Sequence, residues 1–183
     1  MTRVLKTLFA LTLLLMVAAC DSRTEGTDGG GVILSITSFD GLPLLVSVNT
    51  TGAFVQLDEV EVTNVPKNPA AGTSALMDVE IQSYEVTYTR ADNGTRVPVA
   101  FVRGIFGTAP VNGTFILENA PVMGLDQLLN PPLSDLLFEN GAVDSETGLS
   151  RITLNFRLRF FGRTLSGDEV ETAPAAFTVE ITP

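Results

Sequence analysis

The chain has 183 residues, 45% of them hydrophobic, which is enough to fill the core of one domain. Its formal net charge of −10 argues against nucleic acid as a partner, because phosphate binding needs clustered positive charge. Histidine is absent and Cys20 is the single cysteine, so internal disulfides, Ser-His-Asp and Cys-His catalysis, and most zinc sites are excluded.

The first 19 residues are predicted to be a signal peptide. Arg3 and Lys6 precede an apolar run over residues 8–17, which ends in the small residues Ala18 and Ala19. A basic start, a short apolar run and a small-residue exit are typical of secretory signals. The run is too short for a membrane-spanning helix, which needs about 20 apolar residues.

The segment Val17-Ala18-Ala19-Cys20 resembles the lipobox of bacterial lipoproteins, in which an invariant cysteine is acylated before the signal peptide is removed. The family most often has leucine where this chain has Val17. The resemblance implies a lipid, such as palmitate, on Cys20, and thus a protein held on a membrane of the bacterial cell envelope, facing the periplasm or the exterior. Residues 20–31, polar and ending in three glycines, are predicted to form a flexible tether.

From residue 32 to 183 the sequence predicts an all-β domain. Short segments alternate apolar and polar residues between turn residues, a pattern typical of antiparallel sheets with one buried face. Seven or eight strands are predicted, over residues 32–39, 44–48, 54–65, 77–89, 97–106, 114–119, 151–161 and 177–182. In the last two, Ile152, Leu154, Phe156, Leu158, Phe160, Phe177, Val179 and Ile181 should face inward.

Two of the long segments change phase part-way along. The change predicts β-bulges or sheet-switching corners at Asp58-Glu59 and at Gln82-Ser83. Residues 91–95 contain an Asn-Gly pair, which is favoured in tight hairpin turns, so the strands on either side of this turn are predicted to pair.

Residues 125–138 lose the alternation, and their leucines predict short helical turns interrupted by Pro131-Pro132. Two interpretations stay open. The segment caps one end of the sandwich, or Leu128, Leu129, Leu136 and Leu137 form an exposed patch for a partner.

Two packed antiparallel sheets bury such strands best, and their number and spacing resemble immunoglobulin-like or fibronectin type III sandwiches. The chain has no Cys-Trp-Cys signature, so the resemblance is one of pattern only. A closed barrel is the alternative arrangement.

The sequence contains no recognisable catalytic, cofactor or metal motif. Its densest acidic stretches predict solvated faces, with calcium binding as the alternative, and their carboxylates are Asp58, Glu59, Glu61, Asp78, Glu80 and Glu85. Arg151, Arg157 and Arg159 share one exposed face of a predicted strand, where they either bind an anionic partner or pair with Glu169, Glu171 or Glu180.

The leading hypothesis is a lipid-anchored, non-catalytic envelope module that binds, or gives structure to, another envelope protein or polymer. Two alternatives stand beside it. A carboxylate-dependent polysaccharide hydrolase would need two acidic groups at a defined separation, and a calcium-stabilised adhesin would need an oxygen-lined site.

Overall fold

A computed structural model of the protein describes residues 29–43, 45–52 and 54–183; the predicted signal peptide, Cys20 and most of the predicted tether lie outside them. The described residues form nine strands in two sheets. In chain order these are β1 (Val32–Asp40), β2 (Leu45–Ser47), β3 (Phe54–Pro66), β4 (Val79–Arg90), β5 (Phe101–Ala109), β6 (Gly113–Gly124), β7 (Ile152–Thr164), β8 (Glu169–Glu171) and β9 (Ala175–Thr182).

The smaller sheet has the order β1-β3-β6, and the larger has β2-β9-β7-β4-β5 with β8 paired to β7. Adjacent strands run antiparallel except β2 and β9, which are parallel. This confirms the predicted all-β sandwich of immunoglobulin-like type: β1, β3 and β6 occupy the positions of its A, B and E strands, and β9, β7 and β4 those of G, F and C. The two sheets are separate, so the residues that the structure describes do not form a closed barrel.

The inward faces of both sheets meet in one core. All eight residues predicted to face inward on β7 and β9 are buried. Tyr84 and Tyr88 on β4 cross this core, where their hydroxyls donate to the carbonyl oxygens of Pro121 and Val122 on β6 at 2.6 Å each. These bonds join the two sheets, and burial raises the pKa of Tyr84 to about 12.

Both predicted phase changes occur. At Gln82 the ladder between β4 and β7 shifts by one residue, because Ile81 pairs with Gly162 while Ser83 pairs with Phe161. In β3 the buried residues change from odd to even numbers across Asp58 and Glu59.

The ladder between β3 and β6 nevertheless runs unshifted past Asp58 and Glu59. The reason is that β6 changes phase at the same level, at Asn119, whose φ is 50°. The shifts in the smaller sheet's ladders lie elsewhere, at Ile36/Ser38 between β1 and β3 and at Val55/Gln56 between β3 and β6.

The connection from β6 to β7 contains the predicted helical turns. It has one short α-helix, α1 (Leu125–Leu128), and 3₁₀ turns at Leu133–Leu136 and Phe138–Asn140. The Asn49 side chain holds this connection to the loop after β2, because its amide donates to the Leu136 carbonyl and its oxygen accepts from the Phe138 N–H.

The two ends of the sandwich differ in what they carry. The described chain starts at the end where Val32 pairs with Pro66, and there Gly30 lies so close to Thr164 that a Cβ would come within 2.5 Å of its methyl group. The connection with α1 lies at the other end, where Phe54 pairs with Gly124. We call this second end the distal end; it is roughly 40 Å from the first, given about 3.3 Å per residue along the 13 residues of β3.

Candidate functional site

The acidic stretches singled out in the sequence do not come together. Asp58, Glu59 and Glu61 lie on β3 in the smaller sheet, whereas Glu80 and Glu85 lie on β4 in the larger one. Asp78, just before β4, accepts a hydrogen bond from the Val111 N–H at 2.8 Å, which ties two loops together. Within the described residues no group of three or more His, Cys, Asp or Glu side chains is arranged to hold a metal ion.

Two of the three arginines singled out in the sequence, Arg151 and Arg159, pair with glutamates on the neighbouring strands, as the second interpretation predicts. Arg159 lies 3.5 Å from Glu171, and Arg151 lies 4.0 Å from Glu180. Arg157 is exposed and stands opposite Thr87 and Ala176. Such exposed pairs contribute about 0–1 kcal/mol each to stability and order the face rather than forming a pocket.

The leucines of residues 125–138 divide between the two interpretations. Leu128 and Leu136 are buried and belong to the core, together with Leu133, so this part of the connection caps the distal end. Leu137 is half-buried, and Leu129 is 56% exposed. The cap is therefore confirmed for its inner face, and Leu129 alone of the four predicted leucines points mainly into solvent.

An ionic cluster that the sequence did not reveal joins the β4–β5 loop to the residues before β7. It consists of two arginines and four carboxylates: Arg90, Arg96, Asp92, Asp135, Asp144 and Glu146.

At its centre Asp144, whose side chain is fully buried, accepts from the Arg90 guanidinium at 2.9 Å and from the Thr147 hydroxyl at 2.6 Å. Burial alone would raise the pKa of Asp144, but the hydrogen bonds from Arg90 and Thr147 and the charge of Arg90 lower it to about 2.

The remaining bonds of the cluster fix the loop after β4. Asp92 accepts from the Arg90 Nε at 2.6 Å and from the N–H groups of Gly94 and Thr153. The predicted turn at 91–95 therefore exists, and β4 pairs with β5, but the connection extends to residue 100 instead of closing as a two-residue hairpin. Glu146 accepts from the Thr95 and Arg96 N–H groups. Because its carboxylates are all engaged by donors, the cluster has a structural role.

A surface on β5 differs from the ionic cluster because its side chains are apolar and exposed. Phe106 is 83% exposed and Val102 65% exposed, and their even numbering places both on the outer face of the larger sheet. The neighbouring strand β4 presents the polar residues Glu85 and Thr87 on that same face. We call Val99, Val102 and Phe106 the β5 apolar surface.

The β5 apolar surface continues into a groove at the distal end. The groove has a volume of about 500 Å³ and lies between residues 99–102 and the start of α1, with Phe54 and Leu125 on its walls. Both are about half exposed. The Gln127 side chain shapes its floor, because its oxygen accepts from the Gly124 N–H at 3.0 Å and its amide lies 3.4 Å from the Val99 carbonyl. We call this the distal groove.

The sequence contained one overlooked signal for this surface. Apolar residues occupy both faces of β5, with Phe101 and Ile105 turned inward and Val102 and Phe106 turned outward. Such a strand is typically covered on both sides, yet the described residues cover only one.

No known protein family matches this sequence, and no curated protein does either. The described residues also contain no helix long and apolar enough to cross a membrane.

Proposed function

We propose that the protein is a lipid-anchored, non-catalytic module of the bacterial cell envelope that binds a protein partner through the β5 apolar surface and the distal groove. The observation that carries the binding role is the exposure of Val102 and Phe106 on the same outer face of β5, next to the polar residues Glu85 and Thr87 of β4. Contiguous apolar surface that remains exposed on a folded domain is characteristic of interaction sites.

The anchoring part of the proposal depends on residues 1–20. The charged start, the apolar run and Val17-Ala18-Ala19-Cys20 support acylation of Cys20. From Cys20 the predicted tether would place the sandwich within reach of the membrane surface.

The hydrogen bonding and the pKa values of the carboxylates favour binding over carbohydrate hydrolysis as the function. The buried or half-buried ones near the distal end are bonded to arginines, hydroxyls and backbone N–H groups. A glycosidase needs one carboxyl group protonated at working pH, which requires a raised pKa. The pKa values of Asp92, Asp135 and Asp144 are all lowered instead.

The anchor is tested by mass spectrometry of the full chain purified from bacterial membranes, beside a Cys20→Ala variant. We expect a mature chain that begins at Cys20 with acyl groups attached, and a Cys20→Ala variant that leaves the membrane fraction or keeps its leader. An intact Met1 or an unmodified Cys20 in the wild-type chain would overturn the anchoring proposal.

The binding surface is tested by placing a photo-crosslinking amino acid at Val99 in the membrane-anchored protein. Leu165 is the matched control, because it is also exposed and apolar but lies at the opposite end of the sandwich. Discrete adducts from position 99 and none from position 165 are expected. Equal labelling from both positions, or none from position 99, would contradict a binding role for this surface.

A further inference from the structure

One edge of β5 is unpaired, and its backbone groups indicate what kind of partner can bind there. β5 is the last strand of the larger sheet and pairs with β4 on one side. No strand among the described residues pairs with its other edge, so a row of N–H and C=O groups remains available along residues 101–108, while the Ala109 carbonyl already accepts from the Asn64 amide. Natural proteins usually block such an edge with charges, proline or a covering loop. β5 has one charge, Arg103, and no proline.

The side chains of β5 are arranged symmetrically about Gly104. Val102 and Phe106 lie two residues to either side of it on the outer face, and Arg103 and Ile105 lie one residue to either side on the inner face. If a second β5 paired antiparallel with Gly104 opposite Gly104, each Val102 would meet a Phe106. Cross-strand pairs of aromatic and β-branched residues stabilise antiparallel sheets.

We propose that the occupant of the β5 edge is a second copy of this chain, related by a two-fold axis through Gly104, so that the larger sheets of the two copies join into one. The inference rests on the proposed function, because it names the partner of the same surface. A two-fold contact of this kind is self-complementary: Val102 contacts Phe106 of the other copy and the reverse.

The charges of the molecule favour this edge for self-association. The chain carries a net charge of −10, so two copies repel each other over most of their surface. β5 contains no acidic residue, and its single arginine, Arg103, would stand opposite Ile105 and not opposite its own copy. Phe115 of β6 already lies over Gly107 on the inner side, and no described strand pairs with the edge of β5 that faces away from β4.

Antiparallel joining places the starts of the two described chains at opposite ends of the joined sheet. Residues 20–28, the part of the predicted tether that precedes the described residues, span at most roughly 30 Å at about 3.5 Å per residue. Both lipids therefore reach one membrane when the strands lie along its surface.

Disulfide trapping in membranes tests this register, because an acylated Cys20 has no free thiol and an introduced cysteine is then the single reactive one. In the full chain, Gly104→Cys should be converted to a disulfide-linked dimer by mild oxidation, since the two positions face each other within disulfide reach. No heavy atom lies within 4 Å of a Cβ built on Gly104, so the substitution fits the folded monomer.

Three comparisons make the outcome decisive. The wild-type chain, in which Cys20 is the single cysteine, shows whether Cys20 itself forms a disulfide-linked dimer. Thr108→Cys would lie opposite residue 100 of the second copy, so this variant should not form dimers. Adding Phe106→Lys to Gly104→Cys should abolish the dimer, with the melting temperature showing that the chain still folds.

Absence of the Gly104→Cys dimer, or equal dimers from Gly104→Cys and Thr108→Cys, would overturn the proposal. If the crosslinker at Val99 then captured a different protein, self-association would be wrong while the proposed binding function would stand.

Discussion

Among single residues, Asp144 is a carboxylate whose side chain has no contact with solvent. Its side chain is fully buried, and a buried carboxylate is costly unless it is paired and hydrogen-bonded. Arg90, whose side chain is 3% exposed, supplies the charge, while Thr147 and the Glu146 N–H supply further bonds. Their effect on the pKa of Asp144 exceeds that of burial, so the charged form is the stable one.

We expect Asp144→Asn to lower the free energy of unfolding by about 3 kcal/mol, because it removes one of the two carboxylates that are hydrogen-bonded to the buried Arg90 guanidinium. Urea denaturation measures this change. Asp126→Asn is the matched control: Asp126 is exposed and forms no ion pair among the described residues, so its replacement should change stability by less than about 0.5 kcal/mol. Equal effects of the two substitutions would contradict a central role for Asp144.

The same residue predicts a pH dependence. The folded pKa of Asp144 is about 2, below its usual 3.8, so its contribution is fully present above pH 4 and is lost as the pH falls towards 2. The difference between a pKa of 3.8 and one of about 2 corresponds to about 2 kcal/mol of stability. Denaturation curves at several pH values between 2 and 5 should show a steeper loss of stability in wild type than in Asp144→Asn. Parallel curves would count against this assignment.

Among the secondary-structure elements, the connection with α1 depends on tertiary packing. α1 has four residues and the 3₁₀ turns are of similar length, too short to be stable alone. Their burial against the core holds them, through Leu128, Leu133 and Leu136.

This packing predicts different costs for one chemical change made at two positions. Leu136→Ala should destabilise the protein by about 3 kcal/mol, because the side chain is fully buried and its removal leaves a cavity. Leu129→Ala removes the same atoms from a side chain that is 56% exposed and should cost less than about 1 kcal/mol. Thermal unfolding of the two variants measures the difference, and similar melting temperatures would show that the connection is not packed as described.

For the whole molecule, hydrogen bonds that cross the shared core join the two sheets. Tyr84 and Tyr88 extend from β4 to the β6 backbone. Near the other end, the buried Asn64 amide on β3 donates to the carbonyls of Met77 and Ala109, which again joins the sheets.

We therefore expect a chain of residues 29–183 to unfold in a single transition, at the same temperature as a chain of residues 20–183. Both sheets and the core lie within residues 32–182, so no described contact is lost. Calorimetry or circular dichroism measures the two transitions. A lower melting temperature for the shorter chain would show that residues 20–28 stabilise the sandwich.

Alternation and turn residues by themselves determined most strands and their inward faces. Ile152 to Phe160 alternate with polar residues, and the structure buries the apolar set. The phase changes at Asp58-Glu59 and Gln82-Ser83 were equally local and readable. The short strand β8 was missed, because its single apolar residue, Val170, lies between two glutamates and shows too little alternation to predict a strand.

Tertiary structure alone decided the ionic cluster and the surface that carries the proposed function. Arg90 and Asp144 are 54 residues apart in the chain, and no local pattern indicates that sheet pairing brings them within 2.9 Å. The position of β5 at a sheet edge likewise follows from long-range strand order, which alternation does not encode. Alternation reports which side of a strand is apolar, but whether that side is covered depends on which neighbours the whole fold supplies.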